Sequence, residues 1–416
     1  MNRKKVLLII LTLGITITMS FIITKYLVLS DYEEKMKVMA YIPSAEVNER
    51  GYQIDKYEKI KSIAWLSNNE VLTLTSKDGQ EKDDVRAKDI SYCSIYNLNT
   101  KMHKDFQDVD IADFLGVSED KRYVLYGEKI INLEGNFHKN IKALDLFTGE
   151  ITDVDTEMAN GNAELRWLSG NYILVNYLNK WAIINLDGEV NIEGNYENNS
   201  GYARLTGVDD IKNSGDNISG KFYYTQIDNE KNTAKICSID IITRNTKMIY
   251  KNDMIFYADK KGKNIIADYY KNNGKKSSNG VYLNRSFGLN IIDDSGEITK
   301  SIDLPMGRMS TSYVLSPDGS KAVYVEGPNG INLGNKDKDF AVKVVDIKTG
   351  EIKEIIKDSG LIDKNTGYTG KTSEKTVFGN ISNINWDDSS RSFSFTYGSS
   401  NTGDYKISTY IVTLDN

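Results

Sequence analysis

Beyond residue 30 the chain is written in short apolar or alternating segments, each ended by a cluster of Asp, Asn, Ser and Gly. Segments of this length and ending read as β-strands joined by turns. The fullest example is Tyr313-Val314-Leu315, then Ser316-Pro317-Asp318-Gly319, then Ala322-Val323-Tyr324-Val325. Pro-Asp-Gly supplies a tight turn, so this unit is strand, turn, strand. Looser copies are Trp65-Leu66-Ser67 before Val71–Leu74, Ser118-Glu119-Asp120-Lys121 before Tyr123–Tyr126, and Trp167-Leu168-Ser169-Gly170 before Tyr172–Val175. Two more precede Asn264–Ala267 and Phe393–Phe395, and the region near Tyr202–Ile227 has no clean copy.

A second unit follows each of these. Asp346-Ile347-Lys348-Thr349-Gly350-Glu351-Ile352 is echoed by units that begin at Asn97, Asp145, Asn185, Asp240, Asp293 and Thr413. Four strands to each such interval is the pattern of a β-propeller. Length alone suggests two or three domains, but the period turns everything after residue 30 into one all-β ring of seven blades, with six or eight the neighbouring counts. Two tandem β-sandwiches would need a linker near the middle and would lose the period.

The last blade supplies three strands, near Gly379–Asn385, Arg391–Tyr397 and Tyr405–Leu414. The expected fourth comes from the N-terminal side: Met36–Ile42 as first choice, with Gly51–Tyr57 as the alternative, so removing residues 31–43 should destabilise the ring. The long segments Ser76–Asp89, Gly127–Asn140, Tyr270–Phe287 and Glu326–Phe340 join second to third strands. With Asp358–Val377 they crowd one face, the candidate binding face, which should point away from the N-terminal segment. On the other face only Asp209–Gly220 is expected as a longer loop. Cys93 and Cys237 fall at the same place in the third strands of blades one and four, too far apart for a disulfide, so two free, half-buried thiols are expected.

Ser316-Pro317-Asp318-Gly319 with its following strand, then Val345-Asp346-Ile347-Lys348-Thr349-Gly350, resembles the repeat of TolB-like (WD-repeat-like) β-propellers. The resemblance covers most of residues 60–416 and is best in blade six. It implies the fold and a protein partner, and no partner-binding residue of that family maps onto this sequence. Tail, apolar segment and propeller together also look like the front half of membrane-bound prolyl peptidases, without their catalytic α/β-hydrolase domain.

Val6–Thr24 carries no charged residue. As a helix it is roughly 28 Å long, about the hydrocarbon thickness of a bilayer. Arg3, Lys4 and Lys5 precede it, which places the N-terminus in the cytoplasm and the ring outside the cell membrane. A cleaved signal peptide has a shorter apolar core and a small-x-small site, neither of which this segment shows. The expected organisation is a cytoplasmic tail at 1–5, a single-pass helix at 6–24, a linker at 25–35 and a monomeric propeller at 36–416.

Composition narrows function. With 40% apolar and 26% charged residues, the chain is not a polytopic membrane protein. The net charge of −6 includes four basic residues and no acid in the first 30, leaving −10 for the rest, which argues against nucleic acid as partner. Tyr 26 against Phe 12 suits half-buried strands.

Only two histidines exist, His103 in a strand and His138 on the long segment of blade two. No nucleophile elbow, zinc motif, phosphate loop or sialidase box is present, and no cofactor or metal is expected. Asn335–Asp339 alternates oxygen ligands but lacks the glycine and distal glutamate of a calcium loop. The most distinctive segment lies in blade five: Tyr269, Tyr270, Lys275, Lys276, Tyr282 and Arg285 combine aromatic and basic side chains suited to an anionic partner. The sequence therefore reads as a non-enzymatic scaffold for a protein or cell-envelope polymer. The alternative is a carboxylate-based hydrolase or lyase with its site at the propeller axis.

Overall fold

The computed structural model describes residues 51–415 apart from 59, 77–90, 112, 132–136, 155–162, 178–179, 197–200, 215–216, 229–232, 253–256, 273–284, 306–307, 329–339, 358–377 and 402–403. Seven antiparallel sheets of four strands form a seven-bladed propeller. Their first strands are Lys61–Ser67, Asp113–Val117, Glu164–Trp167, Gly201–Ser214, Ala258–Lys261, Arg308–Leu315 and Phe378–Trp386. These strands meet one another in succession around the axis, with the second strand of blade three, Ile173–Tyr177, making the junction to blade four.

The middle strands explain the continuous apolar runs. Val323 and Val325 face blade seven, whereas Ala322 and Tyr324 face blade five. Leu125 packs toward blade three while Val124 and Tyr126 pack toward blade one. A strand buried on both faces needs apolar residues at every position. The core is accordingly seven layers, one between each pair of neighbouring blades.

The repeated turns work as their residues suggest. The Asp346 carboxylate accepts the Thr349 amide at 2.7 Å and its hydroxyl at 2.9 Å, and Gly350 takes a φ of 71° to close the turn. Asp145 and Asp240 accept the amides of Thr148 and Thr243 in the same way. Tying the turn from inside leaves the residue at its tip, Phe147 or Ile242, pointing to solvent.

The closing strand is the second sequence candidate rather than the first. Tyr52–Glu58 pairs antiparallel with Asp404–Leu414, from Tyr52 opposite Leu414 to Glu58 opposite Ser408. Met36–Ile42, preferred from sequence, lies outside the described residues, as do Val6–Thr24 and the linker. The Asp415 amide donates to the Gly51 carbonyl at 3.0 Å, so Gly51 lies on the face of the tight turns.

Blade four corrects a second expectation. Asp209–Gly220 is no irregular loop: Gly201–Ser214 and Asn217–Asp228 continue as a paired ribbon with bulges at Leu205/Gly207 and Asp209/Lys212. Its tip reaches blade three, where a Cβ on Gly170 would sit 2.8 Å from the Asn213 amide nitrogen. Much of Gly127–Asn140 is also ribbon, paired as far as Ile131 opposite Phe137.

Cys93 and Cys237 lie in the third strands of blades one and four, as the register required, and neither is in a disulfide. They are fully rather than half buried, and burial pushes the Cys93 thiol up to about 12. A thiol-specific reagent at pH 8 is expected to modify neither cysteine in the folded protein and both after denaturation. Fast labelling of the folded chain would contradict this burial.

Candidate functional site at the propeller axis

A first strand has one sheet neighbour, and its other edge faces the axis with unpaired amides and carbonyls. Side chains from adjacent blades satisfy part of that edge. The Leu205 amide donates to the Glu164 carboxylate at 2.9 Å, and the Leu315 amide to the Asp259 carboxylate at 2.8 Å. The indoles of Trp65 and Trp386 donate to the carbonyls of Asn385 and Val314 at 3.0 and 3.1 Å. Both tryptophans come from the recurring strand–turn unit, so this repeat element latches blade to blade.

The same strand ends carry the charge. On the tight-turn face Lys121 of blade two reaches past blade one to Asp388 of blade seven, with Nζ to Oδ1 at 3.1 Å. Lys121 occupies the turn position that is Gly170, Gly262 and Gly319 in blades three, five and six. It holds a φ of 60°, a left-handed conformation that costs a lysine about 1 kcal/mol. Lys261 ends the first strand of blade five. Burial lowers its proton affinity below the ordinary lysine value, and the positive charges of Arg166 and Lys121 lower it further against the opposing pull of Asp259 and Asp388. Arg166, from blade three, also acts on Tyr257, the residue before that strand. Side chains of blades two, three, five and seven thus converge on the axis. They combine cations suited to an anionic group with an amine that holds its proton less tightly than an ordinary lysine.

A buried lysine next to this site plays a different part. Lys260 is wholly enclosed between blades four and five, with its ammonium 3.0 Å from Asp294, 3.4 Å from Asp209 and 4.7 Å from the centre of the Tyr223 ring. It also donates to the Gly262 carbonyl. A side chain on Gly207 would meet Lys260 Cβ at 2.6 Å, so glycine there makes room for it.

The blade-five residues chosen from sequence separate. Tyr269 is 4% exposed and its hydroxyl donates to Asp303, so it is a packing residue. Tyr270 and Arg285 lie in the paired strands Asn264–Asn272 and Arg285–Asp293. Lys275, Lys276 and Tyr282 lie outside the described residues, as does Asn335–Asp339. His103 begins the outer strand of blade one with its ring 5.9 Å from that of Tyr96, an edge position. His138 lies opposite Ile130 in blade two. Among the described residues no group of three His, Cys, Asp or Glu side chains is placed to hold a metal ion. Sequence reasoning missed the axial set because each member looks like an ordinary surface charge. A usable signal was lysine at a turn position that is glycine in other blades.

No family model matches the chain. No curated protein matches it either. Solved structures do. The chain is similar to the β-propeller domain of the Trilobed protease from Pyrococcus furiosus, described as having an open velcro topology, at 13% identity over 84% of this chain and 94% of that one, TM-score 0.50. Here, by contrast, the last blade takes its outer strand from Tyr52–Glu58. An oligogalacturonate lyase in complex with manganese matches at 13% identity over 91% of this chain and 97% of that one, TM-score 0.35. A structure from a study of two prolyl endopeptidases matches at 11% identity over 83% of this chain, TM-score 0.47, and the chain spans about half of its length, 47%. At these identities the likeness shows the fold. The propeller it most usefully matches belongs to a protease, so the expectation of a non-enzyme, which rested on the shortage of histidine, is corrected. The chain is a seven-bladed β-propeller whose axis carries a converging set of charged side chains.

Proposed function

We propose that the ring is an enzyme working at its axis on an anionic polymer of the cell envelope, held outside the membrane by Val6–Thr24. The observation carrying this reading is that Arg166 and Lys121 lie near enough to Lys261 for their charges to lower its proton affinity, in a chain whose net charge is −6. Arg166 and Lys121 hold a substrate carboxylate, and Asp388 keeps Lys121 in place. Lys261, enriched in its neutral form by burial and like charge, takes a proton from the carbon beside that carboxylate, the glycosidic C–O bond at the next carbon breaks as the C=C bond forms, and the departing oxygen takes a proton from water. The described carboxylates whose proton affinity moves, Asp145, Asp240, Asp293, Asp318 and Asp346, sit in turns and all move down. A glycosidase acid needs the opposite shift, so the arrangement favours elimination over hydrolysis.

The test is release of an ultraviolet-absorbing unsaturated product from a panel of uronate polymers. Wild type should form it, with a rate that rises with pH as Lys261 loses its proton. Lys261→Met should lower the rate by at least about 100-fold, the scale of losing a general base. Lys121→Gly relieves the strained turn and should keep the fold while weakening substrate binding. No product from any polymer, or full activity in Lys261→Met, would reject the reading.

A further inference from the structure

The large apolar side chains left exposed are not scattered. Among the described residues they are Met102, Phe147, Ile151, Val190, Ile242, Met248, Ile298, Ile352 and Tyr257. All but Tyr257 lie in a turn between third and fourth strands or within the first residues of a fourth strand. Third-to-fourth turns share one face with first-to-second turns, so these side chains form a rim around that face, at its outer edge. Phe147 is 86% exposed, Ile242 67%, Met248 57% and Met102 55%. Six of the eight fall on blades one to four, giving an arc rather than a full circle.

Solvated turn tips do not require phenylalanine or isoleucine. The tip position of Phe147 and Ile242 is Lys348 in blade six and Asp187 in blade three. The aspartate clasp beneath each tip fixes the backbone whatever residue it carries, so the apolar choice adds exposed surface without adding to the fold. What sets these side chains apart from singly scattered surface residues is that they recur at one position of one face, where a broad apolar partner could meet several of them at once.

The chain itself indicates the occupant. Gly51 stands on this same face, in blade seven next to Lys353 of blade six, and only positions 25–50 separate it from the apolar run that ends at Thr24. Twenty-six residues span at most about 90 Å even when fully extended. The rim is therefore held within reach of whatever Val6–Thr24 enters.

We propose that the arc of Met102, Phe147, Val190, Ile242 and Met248 rests on the lipid bilayer, with Phe147 and Ile242 entering its interface. The proposal rests on the membrane-tether reading above. It gives the ring a fixed orientation, with its opposite, loop-bearing face turned to the exterior. The bare turn tips act as interfacial anchors, and the glutamates within the arc, Glu150 and Glu189, confine insertion to the tips.

The full-length protein, reconstituted in vesicles of equal parts phosphatidylcholine and phosphatidylglycerol, tests this. The two native cysteines are buried, so single variants Phe147→Cys, Ile242→Cys and Asn140→Cys can each take one environment-sensitive fluorophore. Asn140 is exposed on the opposite face of blade two. Nitroxide groups on the lipid acyl chains should quench the labels at 147 and 242 several-fold more than the label at 140. Equal quenching at all three sites would overturn the proposal. Carbonate extraction reads the tether separately. Retention in the membrane with unquenched rim labels rejects the rim alone. Release by carbonate with rim labels still quenched rejects the tether and keeps the rim.

Discussion

A chain lacking residues 1–58 is expected to lose its cooperative thermal transition, whereas one lacking residues 1–50 keeps it. Tyr52–Glu58 is the fourth strand of blade seven, and it pairs along its whole length in unbroken register with Ser408–Leu414. Removing it exposes the amide and carbonyl edge of Asp404–Leu414 and uncovers Tyr410 and Val412. The strand also reaches a second blade: Tyr52 is 4% exposed, and its hydroxyl donates to the Ile355 carbonyl of blade six at 2.8 Å. Tyr52→Ala alone should cost about 3 kcal/mol or more, since it empties an aromatic site and leaves that carbonyl without its donor. Circular dichroism or calorimetry checks both variants. An unchanged transition in the chain lacking residues 1–58 would show that the ring does not depend on this closure.

The second large effect is expected at Glu326. Its carboxylate lies between Arg308, at 2.9 Å, and Lys343, at 2.6 Å, and all three groups are largely removed from solvent. Taking charges out of water is expensive, and this cluster persists because each charge has its opposite at hydrogen-bond distance. Glu326→Ala keeps two enclosed cations side by side and removes the anion between them. A loss of about 3–5 kcal/mol in denaturant unfolding is expected. Replacing Arg308, Glu326 and Lys343 together by Met removes the charges as a set and should cost far less than the single change. A single variant within about 1 kcal/mol of wild type would mean that solvent, not Glu326, balances the cations.

Much of the ring was legible because its instructions are local. Asp346, Thr349 and Gly350 make their turn from one short stretch of chain, and Ser316 to Gly319 make theirs from another. The alternation of the middle strands showed that both faces are buried before any partner was known. The positions of Cys93 and Cys237 followed from counting strands. By contrast, Met36–Ile42 and Gly51–Tyr57 both read as strands. The choice between them belongs to Asp404–Leu414, at the other end of the chain. The ribbon at Asp209–Gly220 looked like a loop because its polar residues hide the pairing that Ile211 and Ile218 make against blades three and four.

The site was the least legible part. Tyr269 beside basic neighbours looked like a ligand contact, yet it is buried against Asp303. Lys121, Arg166, Lys261 and Asp388 looked ordinary because they stand far apart in the chain, on blades two, three, five and seven. The sequence by itself determined the strands, the turns, the period and the seven blades, since hydrophobic alternation and turn chemistry act over short stretches. Tertiary structure alone decided which strand closes the ring, which charges meet at the axis and which apolar tips share one rim. Closing the circle is what brings distant residues together, and electrostatic shifts such as that of Lys261 arise only once those residues are close and shielded from water.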